Sequence, residues 1–524
     1  MKNSIVQFRQ AAKLLPCALF TVVSFAMLAG CNVGPKYVPP AMTAPPAFKE
    51  SPEQFKETEG WTVAQPQDAT LRGKWWEIYN DPELNALEEQ LNVDNQNIRV
   101  AFENFMEARA LVRQARSQFF PTIGIGPSYT RTQTSSTITS SGSASSSKGS
   151  PGSNSTASST GIQSQIFALP AEASWEPDLW DKVRNTVRVN QYQAQLTAAD
   201  LENERLTEQA SLAEFFFEIR GQDALQKILD DLVETDKKDV EAEQSRYDTG
   251  VDDQIALVQA QTNLASAQSA AINLGIARAQ FEHAIAMLIG KPASSFSIPV
   301  KPSLTEPPPI PVGLPSQLLE RRPDVAGAER SMAAANAQIG VAYAAYYPSL
   351  TLSGSGGVES SAIKNLLDSA SRFWSVGPSL SETIYDGGLR RATVNQFIAT
   401  YNADLATYRQ SVLVALQQVE DDLAAVRILS QQIKRQQEAV DSSEKYVSLE
   451  QTRYDTGVDP YIDLAAAQVT LSSNQQALAS LKIQEMTSSV ELIQALGGGW
   501  DKTQLPTPEQ ITQKPTHAET TIQH

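Results

Sequence analysis

The chain is 524 residues long, 41% hydrophobic and 19% charged, with a formal net charge of −17. That acidic balance repels phosphates and excludes nucleic acid as a partner. Three histidines and two cysteines supply no metal-ligand cluster and no nucleophile–base arrangement, so neither an enzyme such as a cell-wall hydrolase nor a cofactor is expected.

Residues 1–30 have the pattern of a secretory signal. Lys2, Arg9 and Lys13 make a basic start, and Leu14–Ala29 is apolar and uncharged. The stretch is short for a spanning helix and Pro16 interrupts it, so it reads as a cleaved peptide. Leu28-Ala29-Gly30-Cys31 is a lipobox, which predicts cleavage before Cys31 and a covalent lipid on that cysteine. Cys17 leaves with the peptide, so the mature chain has no disulfide although its compartment would permit one. Asn32 stands where an Asp would favour retention in the inner membrane, and an outer-membrane lipoprotein is expected. Cleavage removes three positive charges and no carboxylate, taking the formal charge from −17 to −20. The remainder has no apolar run of about 18 residues, so any crossing of a membrane must use a closed β-barrel.

Residues 31–73 form an N-terminal extended segment, and beyond it the chain is written twice. Arg246-Tyr247-Asp248-Thr249-Gly250-Val251-Asp252 returns as Arg453-Tyr454-Asp455-Thr456-Gly457-Val458-Asp459, 207 positions later. The same offset aligns Ile255 with Ile462, Leu257 with Leu464, Leu264 with Leu471 and Gly290 with Gly497. Upstream, Gln118-Phe119-Phe120-Pro121-Thr122 matches Ala345-Tyr346-Tyr347-Pro348-Ser349 at an offset of 227. The 20-residue difference falls where the first copy carries a Ser/Thr/Gly-rich stretch, residues 132–161, expected as a flexible external loop at a hairpin end. The result is a first repeat at 74–290, a Pro-rich linker at 291–315, a second repeat at 316–499 and a tail at 500–524 expected to be disordered.

Each copy reads helix, strand, loop, strand, long helix, turn, helix. Leu389 to Thr456 contains no Gly or Pro over 68 residues. At about 1.5 Å per residue that helix would reach roughly 100 Å. Its counterpart from Lys182 to Thr249 has one glycine, Gly221. Helices of this length stabilise one another as coiled coils, and Leu464, Leu471 and Leu478 give the returning helix a seven-residue spacing. Ala465, Ala466 and Ala467 would allow close approach. The repeated seven residues predict a hairpin tip in each copy. Gly250 and Gly457 suit a left-handed helix end, Asp252 and Asp459 are expected to cap the next helix, and Pro460 to open it.

The strands alternate. Ile123, Ile125 and Tyr129 share one face, with Gly124, Gly126, Ser128 and Thr130 on the other. Leu350 and Leu352 alternate with Ser349, Thr351 and Ser353, and Phe167, Leu169, Ala171, Trp175, Trp374, Val376 and Leu380 continue the pattern. Strands of about ten residues suit a tilted membrane crossing, but four cannot close a barrel, which begins at about eight. Two subunits would supply eight strands and three would supply twelve.

These residues resemble the TolC-like outer-membrane efflux channels, in the lipoprotein branch that works with resistance-nodulation-division pumps. The resemblance rests on Gly313-Leu314-Pro315-Ser316-Gln317-Leu318-Leu319-Glu320-Arg321-Arg322-Pro323-Asp324-Val325, continuing through Ala328-Glu329 and Ala337-Gln338-Ile339-Gly340 to Tyr346-Tyr347-Pro348-Ser349-Leu350. Cys31-Asn32-Val33-Gly34-Pro35-Lys36-Tyr37, Trp75-Trp76 and Asp81-Pro82-Glu83-Leu84 extend it from Cys31 to about Gly497. It implies α-helical and transmembrane β structure: a homotrimer with a 12-stranded barrel and a long periplasmic helical barrel. It also implies a periplasmic membrane-fusion adaptor, an inner-membrane resistance-nodulation-division pump reached through that adaptor, and passive conduction of drugs or other toxic compounds. The adaptor would meet the tips at Tyr247, Asp248, Thr249, Gly250, Val251, Tyr454, Asp455, Thr456, Gly457 and Val458. The closed aperture would lie at Ile462, Asp463 and Ala466. Many relatives have Asp where this chain has Ala466, which leaves Asp463 as the main charged candidate.

Other charged features fit two roles or a structural one. Glu420, Asp421 and Asp422 fit an acidic lumen lining and equally a solvated helix face. Arg321 and Arg322 precede a helix and read as structural. A non-conducting, adhesin-like lipoprotein trimer spanning the periplasm is the alternative reading, and conductance separates the two.

Overall fold

The computed structural model describes residues 33–40, 45, 47–50, 73–133, 135, 163–310 and 320–513. The lipobox with Cys31, most of the Ser-rich stretch and the beginning of the Gly313 block lie outside the described residues. The chain divides into two compact units. One holds Arg113–Val189 and Asn336–Ile398, and the second holds Tyr37–Val112, Asn190–Ala335 and the chain from Ala399 onward.

The element order is the expected one, given twice. Helices α1 (Pro82–Asp94) and α2 (Gln96–Ser117) lead into strands β1 (Thr122–Ile125), β2 (Ser128–Gln133) and β3 (Gln163–Trp175). Helix α3 (Lys182–Asp248) and its return α4 (Gln254–Leu288) complete the first copy. The second comprises α5 (Pro323–Ala344), β4 (Ser349–Ser360), β5 (Arg372–Ser381), α6 (Leu389–Asp455) and α7 (Tyr461–Ala495), and a short helix α8 (Pro508–Thr512) follows. The two long helices have 67 residues each and the two returning helices 35 each. The one glycine of α3 has a packing reason: a Cβ at Gly221 would lie 2.3 Å from the Ile483 side chain of α7. Only a residue without a side chain allows that approach.

Local signals place the helix ends. Asp81 caps α1 by accepting from the N–H groups of Glu83 at 2.8 Å and Leu84 at 3.3 Å, with Pro82 in the first turn. Asn95 divides α1 from α2: its carbonyl oxygen accepts from Asn97 and Ile98, while its amide donates to Glu208 and the Leu288 carbonyl. Arg322 is structural, as expected. It donates to the Ala495 carbonyl at the end of α7 and pairs with Asp324.

In the first unit the strands form one antiparallel sheet. Strands β1 and β2 share one register on β3, which pairs with β4, which pairs with β5. The first strand, expected to be continuous, breaks at Gly126-Pro127: the Gly126 N–H donates to the Pro170 carbonyl at 3.2 Å, but Pro170 of β3 has no N–H to return the bond. The register puts Ile123, Ile125 and Tyr129 on the same face as Phe167, Leu169 and Trp175, and carries that face across Leu352 and Val358 to Trp374 and Val376. These side chains are largely uncovered, with Trp374 81% exposed. The opposite face carries Thr130, Glu172, Ser353, Ser355 and Ser375. Among the described residues β1 with β2 on one side and β5 on the other are open edges.

In the second unit the main core gathers Trp75, Trp76, Leu84 and Leu91 against Leu212, Phe216 and Ile219 of α3 and Ile285 of α4. The tail departs from expectation: rather than being disordered from residue 500, it is ordered to Gln513. Ile511 is buried against Ala108, Val112 and Ala194, and Arg109 donates to the Gln510 and Gln513 carbonyls. Glu420 departs too. Its carboxylate accepts from the backbone N–H groups of Lys49 at 2.7 Å and Glu50 at 3.0 Å, so it is half-buried and engaged by the N-terminal segment rather than free on a solvated face.

Candidate functional site: the paired helical tips

Both tips close as the sequence predicts at glycine. Gly250 and Gly457 have φ of 70° and 73°, the left-handed region. The Gly250 N–H donates to the Tyr247 carbonyl and the Val251 N–H to the Arg246 carbonyl, and Gly457 and Val458 repeat this on Tyr454 and Arg453. Those paired bonds satisfy carbonyls that the helix end leaves free. Thr249 and Thr456 add hydroxyl bonds to the last turn, at 2.9 Å to the Ser245 and Thr452 carbonyls.

The aspartates after the glycines act differently from expectation. Asp253, not Asp252, caps α4, and Pro460 precedes α7 without a side-chain cap. Asp252 instead turns back to Arg246 at 3.2 Å, and Asp459 to Arg453 at 2.8 Å. An arginine six residues ahead outcompetes the helix start because it offers a charged, multidentate donor. The Arg453 guanidinium holds the Asp459 carboxyl below its usual range.

Identical sequences have unequal places. Tyr247 is 42% exposed, whereas Tyr454 is 6% exposed and sits among Tyr461, Leu464, Ala465 and Ala260. The Tyr454 hydroxyl donates to the buried Glu243 carboxylate of α3, and the Arg246 guanidinium lies 4.2 Å from the Tyr454 ring centroid. Burial, with the Glu243 bond second, pushes the Tyr454 hydroxyl well above its ordinary value. One turn and two turns further back on α3, Asp239 and Asp236 are also raised by burial, Asp236 to about 6 with the Asp239 charge adding to it.

The tip residues singled out from sequence are therefore exposed except for Tyr454, which joins the two hairpins inside the subunit. Ile462, Asp463 and Ala466 lie together on the uncovered side of α7, opposite buried Leu464, Ala465 and Ala467. Asp463 is that stripe's only carboxylate near the turn, and its charge is felt by Glu450 and Arg453. Sequence reasoning missed Glu243. Glu243 and Glu450 are themselves a repeated pair, and the available signal was Tyr461, whose counterpart in the first copy is Gln254. An aromatic residue at one tip alone marks the side that is packed.

A sheet with one apolar face and two open edges, carried on a chain that also builds two long helical hairpins with matched tips, defines the subunit of an outer-membrane channel. The family model described as outer membrane efflux protein fits residues 87–291 and again 314–498. Those two matches are the two copies of the internal repeat, and the chain belongs to the outer membrane efflux protein family. The solvent efflux pump outer membrane protein SrpC of Pseudomonas putida is 31% identical over 491 residues, which cover 91% of this chain and 97% of SrpC. The probable efflux pump outer membrane protein TtgC of Pseudomonas putida is 28% identical over 488 residues, covering 92% of this chain and 95% of TtgC. The solved outer-membrane channel OprN matches with a TM-score of 0.78 and 27% identity over 90% of this chain and all of its own. The fold is that of the TolC-like channels, whose members are outer-membrane efflux components rather than enzymes. Among the described residues no helix is long and apolar enough to cross a membrane and no group of three or more acidic, His or Cys side chains could hold a metal.

Proposed function

We propose that this protein is the lipid-anchored outer-membrane conduit of a tripartite efflux system. It assembles as a trimer whose three four-stranded sheets close one 12-stranded barrel. It passively conducts toxic compounds, such as the solvents and antibiotics named for its relatives, from an inner-membrane resistance-nodulation-division pump through a periplasmic adaptor. The observation that carries this reading is the sheet, four strands wide with β1 and β2 in line as one, that exposes apolar Ile123, Ile125, Trp374 and Val376 and has two unpaired edges among the described residues. In hydrocarbon an unpaired edge costs several kcal/mol per backbone group, so the edges must meet those of other subunits. The exposed tips supply the adaptor-contacting surface, and Ile462, Asp463 and Ala466 line the periplasmic aperture. Cys31 carries the lipid.

The test is mass and transport together. Purified protein in detergent should have the mass of three subunits, and cells lacking it should accumulate a fluorescent efflux dye that the wild-type gene clears. A stable inserted monomer, or dye clearance unaffected by deletion, contradicts the reading. Labelled palmitate should enter the wild type and not Cys31→Ser.

A further inference from the structure

Two extended segments dock at matching places on the two copies. In the first copy, linker residue Ile298 is buried in the core formed by Leu212 and Phe216 of α3 with Ile285 and Ile289 at the end of α4. Arg220, one turn beyond Phe216, donates to the Pro299 carbonyl at 2.9 Å. In the second copy the residues 207 positions later, Val419, Leu423, Leu492 and Leu496, form a core of the same make-up. The buried residue filling it is Phe48, 2% exposed and far away in the chain, with Ile310 of the linker partly buried at its side. Arg427, the counterpart of Arg220, grips the Glu50 carboxylate through Nε at 3.1 Å and Nη2 at 2.6 Å.

The backbone is served in both places. An extended segment off any sheet has N–H groups that must find acceptors. Ile298 donates to Glu282 at 2.8 Å and Lys301 to Asp223 at 2.8 Å. Lys49 and Glu50 donate to Glu420, whose counterpart in the first copy is Ala213, so this acceptor is particular to the second site. The first copy is followed directly by the linker that fills its groove. The tail after the second copy leaves instead for α2 and α3 of the first, where Gln195 donates to the Pro506 carbonyl and Ile511 is buried. The second groove is thus vacated by its own continuation and filled at its centre from the N-terminus, with Ile310 of the linker alongside.

We propose that the groove between α6 and α7 is a peptide-binding site whose occupant is the chain's own residues 47–50. Its ligand class is an extended peptide with a bulky apolar residue followed two positions later by a carboxylate. The strap does for the second helical hairpin what the linker does for the first: it holds the returning helix against the long one. The anchored end of the chain is thereby tied to the hairpin that carries Asp463.

Hydrogen exchange on the full-length protein tests this. Glu50→Gln should speed exchange at Lys49, Glu50 and residues 416–427 and 488–496 by about tenfold, as expected for losing one charge-assisted contact, and Phe48→Ala, which empties a buried aromatic site, should speed it by more. Residues 212–220 and 281–289 should be unchanged. Ile298→Ala should reverse the pattern, loosening the first hairpin and leaving the second alone. The double variant Glu50→Gln, Arg427→Gln should lose less protection than the sum of the two single losses. Unchanged exchange at 416–427 and 488–496, equal loosening of both hairpins, or additive losses in the double variant would each overturn the proposal.

Discussion

The Tyr454 hydroxyl donates to the Glu243 carboxylate, tying the second helical hairpin to the first, while Tyr247 in the same repeated sequence is exposed. Tyr454→Phe removes the donor and leaves a buried carboxylate short of a partner, at a cost of about 1–3 kcal/mol. Tyr247→Phe removes nothing buried and should stay within about 0.5 kcal/mol of wild type. Thermal denaturation compares the two directly. Equal effects would mean that the tips are as symmetric in packing as they are in sequence.

Gly250 and Gly457 carry positive φ, and a Cβ added at either would have nothing within 4 Å, so substitution there meets backbone strain and no steric neighbour. Gly250→Val or Gly457→Val should cost about 1–2 kcal/mol and reshape the turn. The barrel should still assemble, and cross-linking to the periplasmic adaptor should fall. Wild-type cross-linking and wild-type dye clearance in both variants would remove the tips as the docking element.

Asp422 and Glu214 should make stability depend on pH. Burial first, then Glu491 and Asp421, pushes Asp422 up to about 7 against the opposing pull of Arg322. Burial, then Glu491, Glu218 and Asp422, lifts Glu214 to about 7 as well. Both carboxyls bind protons more tightly folded than unfolded. Their contribution is therefore fully present below about pH 4 and is lost as pH rises through about 7. Asp422→Asn removes the titration and should stabilise the protein at pH 8 by about 1 kcal/mol after allowance for solvent screening. At pH 4 it should do nothing. Urea denaturation at the two pH values checks the sign, and an equal effect at both would contradict it.

The two faces of the sheet should respond oppositely to charge. Val376 lies on the apolar face and Ser375 on the polar one. Val376→Arg should cost about 2–4 kcal/mol of insertion if it faces the middle of the hydrocarbon, and Ser375→Arg much less. Folding into lipid vesicles, followed by protease protection, measures both. Equal penalties would mean that the register does not separate lipid from lumen.

Much of this architecture was legible because period and repeat carry it. The Gly- and Pro-free stretch from Leu389 placed α6 within one residue of its end, and strand alternation gave the correct faces for Ile123, Phe167 and Trp374. The break opposite Pro170 was readable in principle, since proline cannot donate to a ladder. What sequence could not give was long-range choice. Nothing local says that Asp252 prefers Arg246 over capping, that Glu420 receives the N–H groups of Lys49 and Glu50, or that Ile511 is buried beside Ala194. Each is decided by a partner that only the folded chain brings near. Repetition hid the rest, because identical residues such as Tyr247 and Tyr454 announce identical roles and have different ones.

The proposed channel conducts through a periplasmic aperture that carries Asp463. Reversal potential under a salt gradient in planar bilayers tests it most directly, with wild type, Asp463→Ala and Asp441→Ala compared. Asp441 is a carboxylate exposed on α6, away from the turn, and pairs with Gln437. The wild type should conduct with a preference for cations, as acidic rings impose in other pores. Asp463→Ala should lose part of that preference and much of the block by divalent cations added on the periplasmic side, and Asp441→Ala should match wild type. Trimers that do not conduct would rule out the channel, and an Asp463→Ala reversal potential and block equal to wild type would remove Asp463 from the aperture.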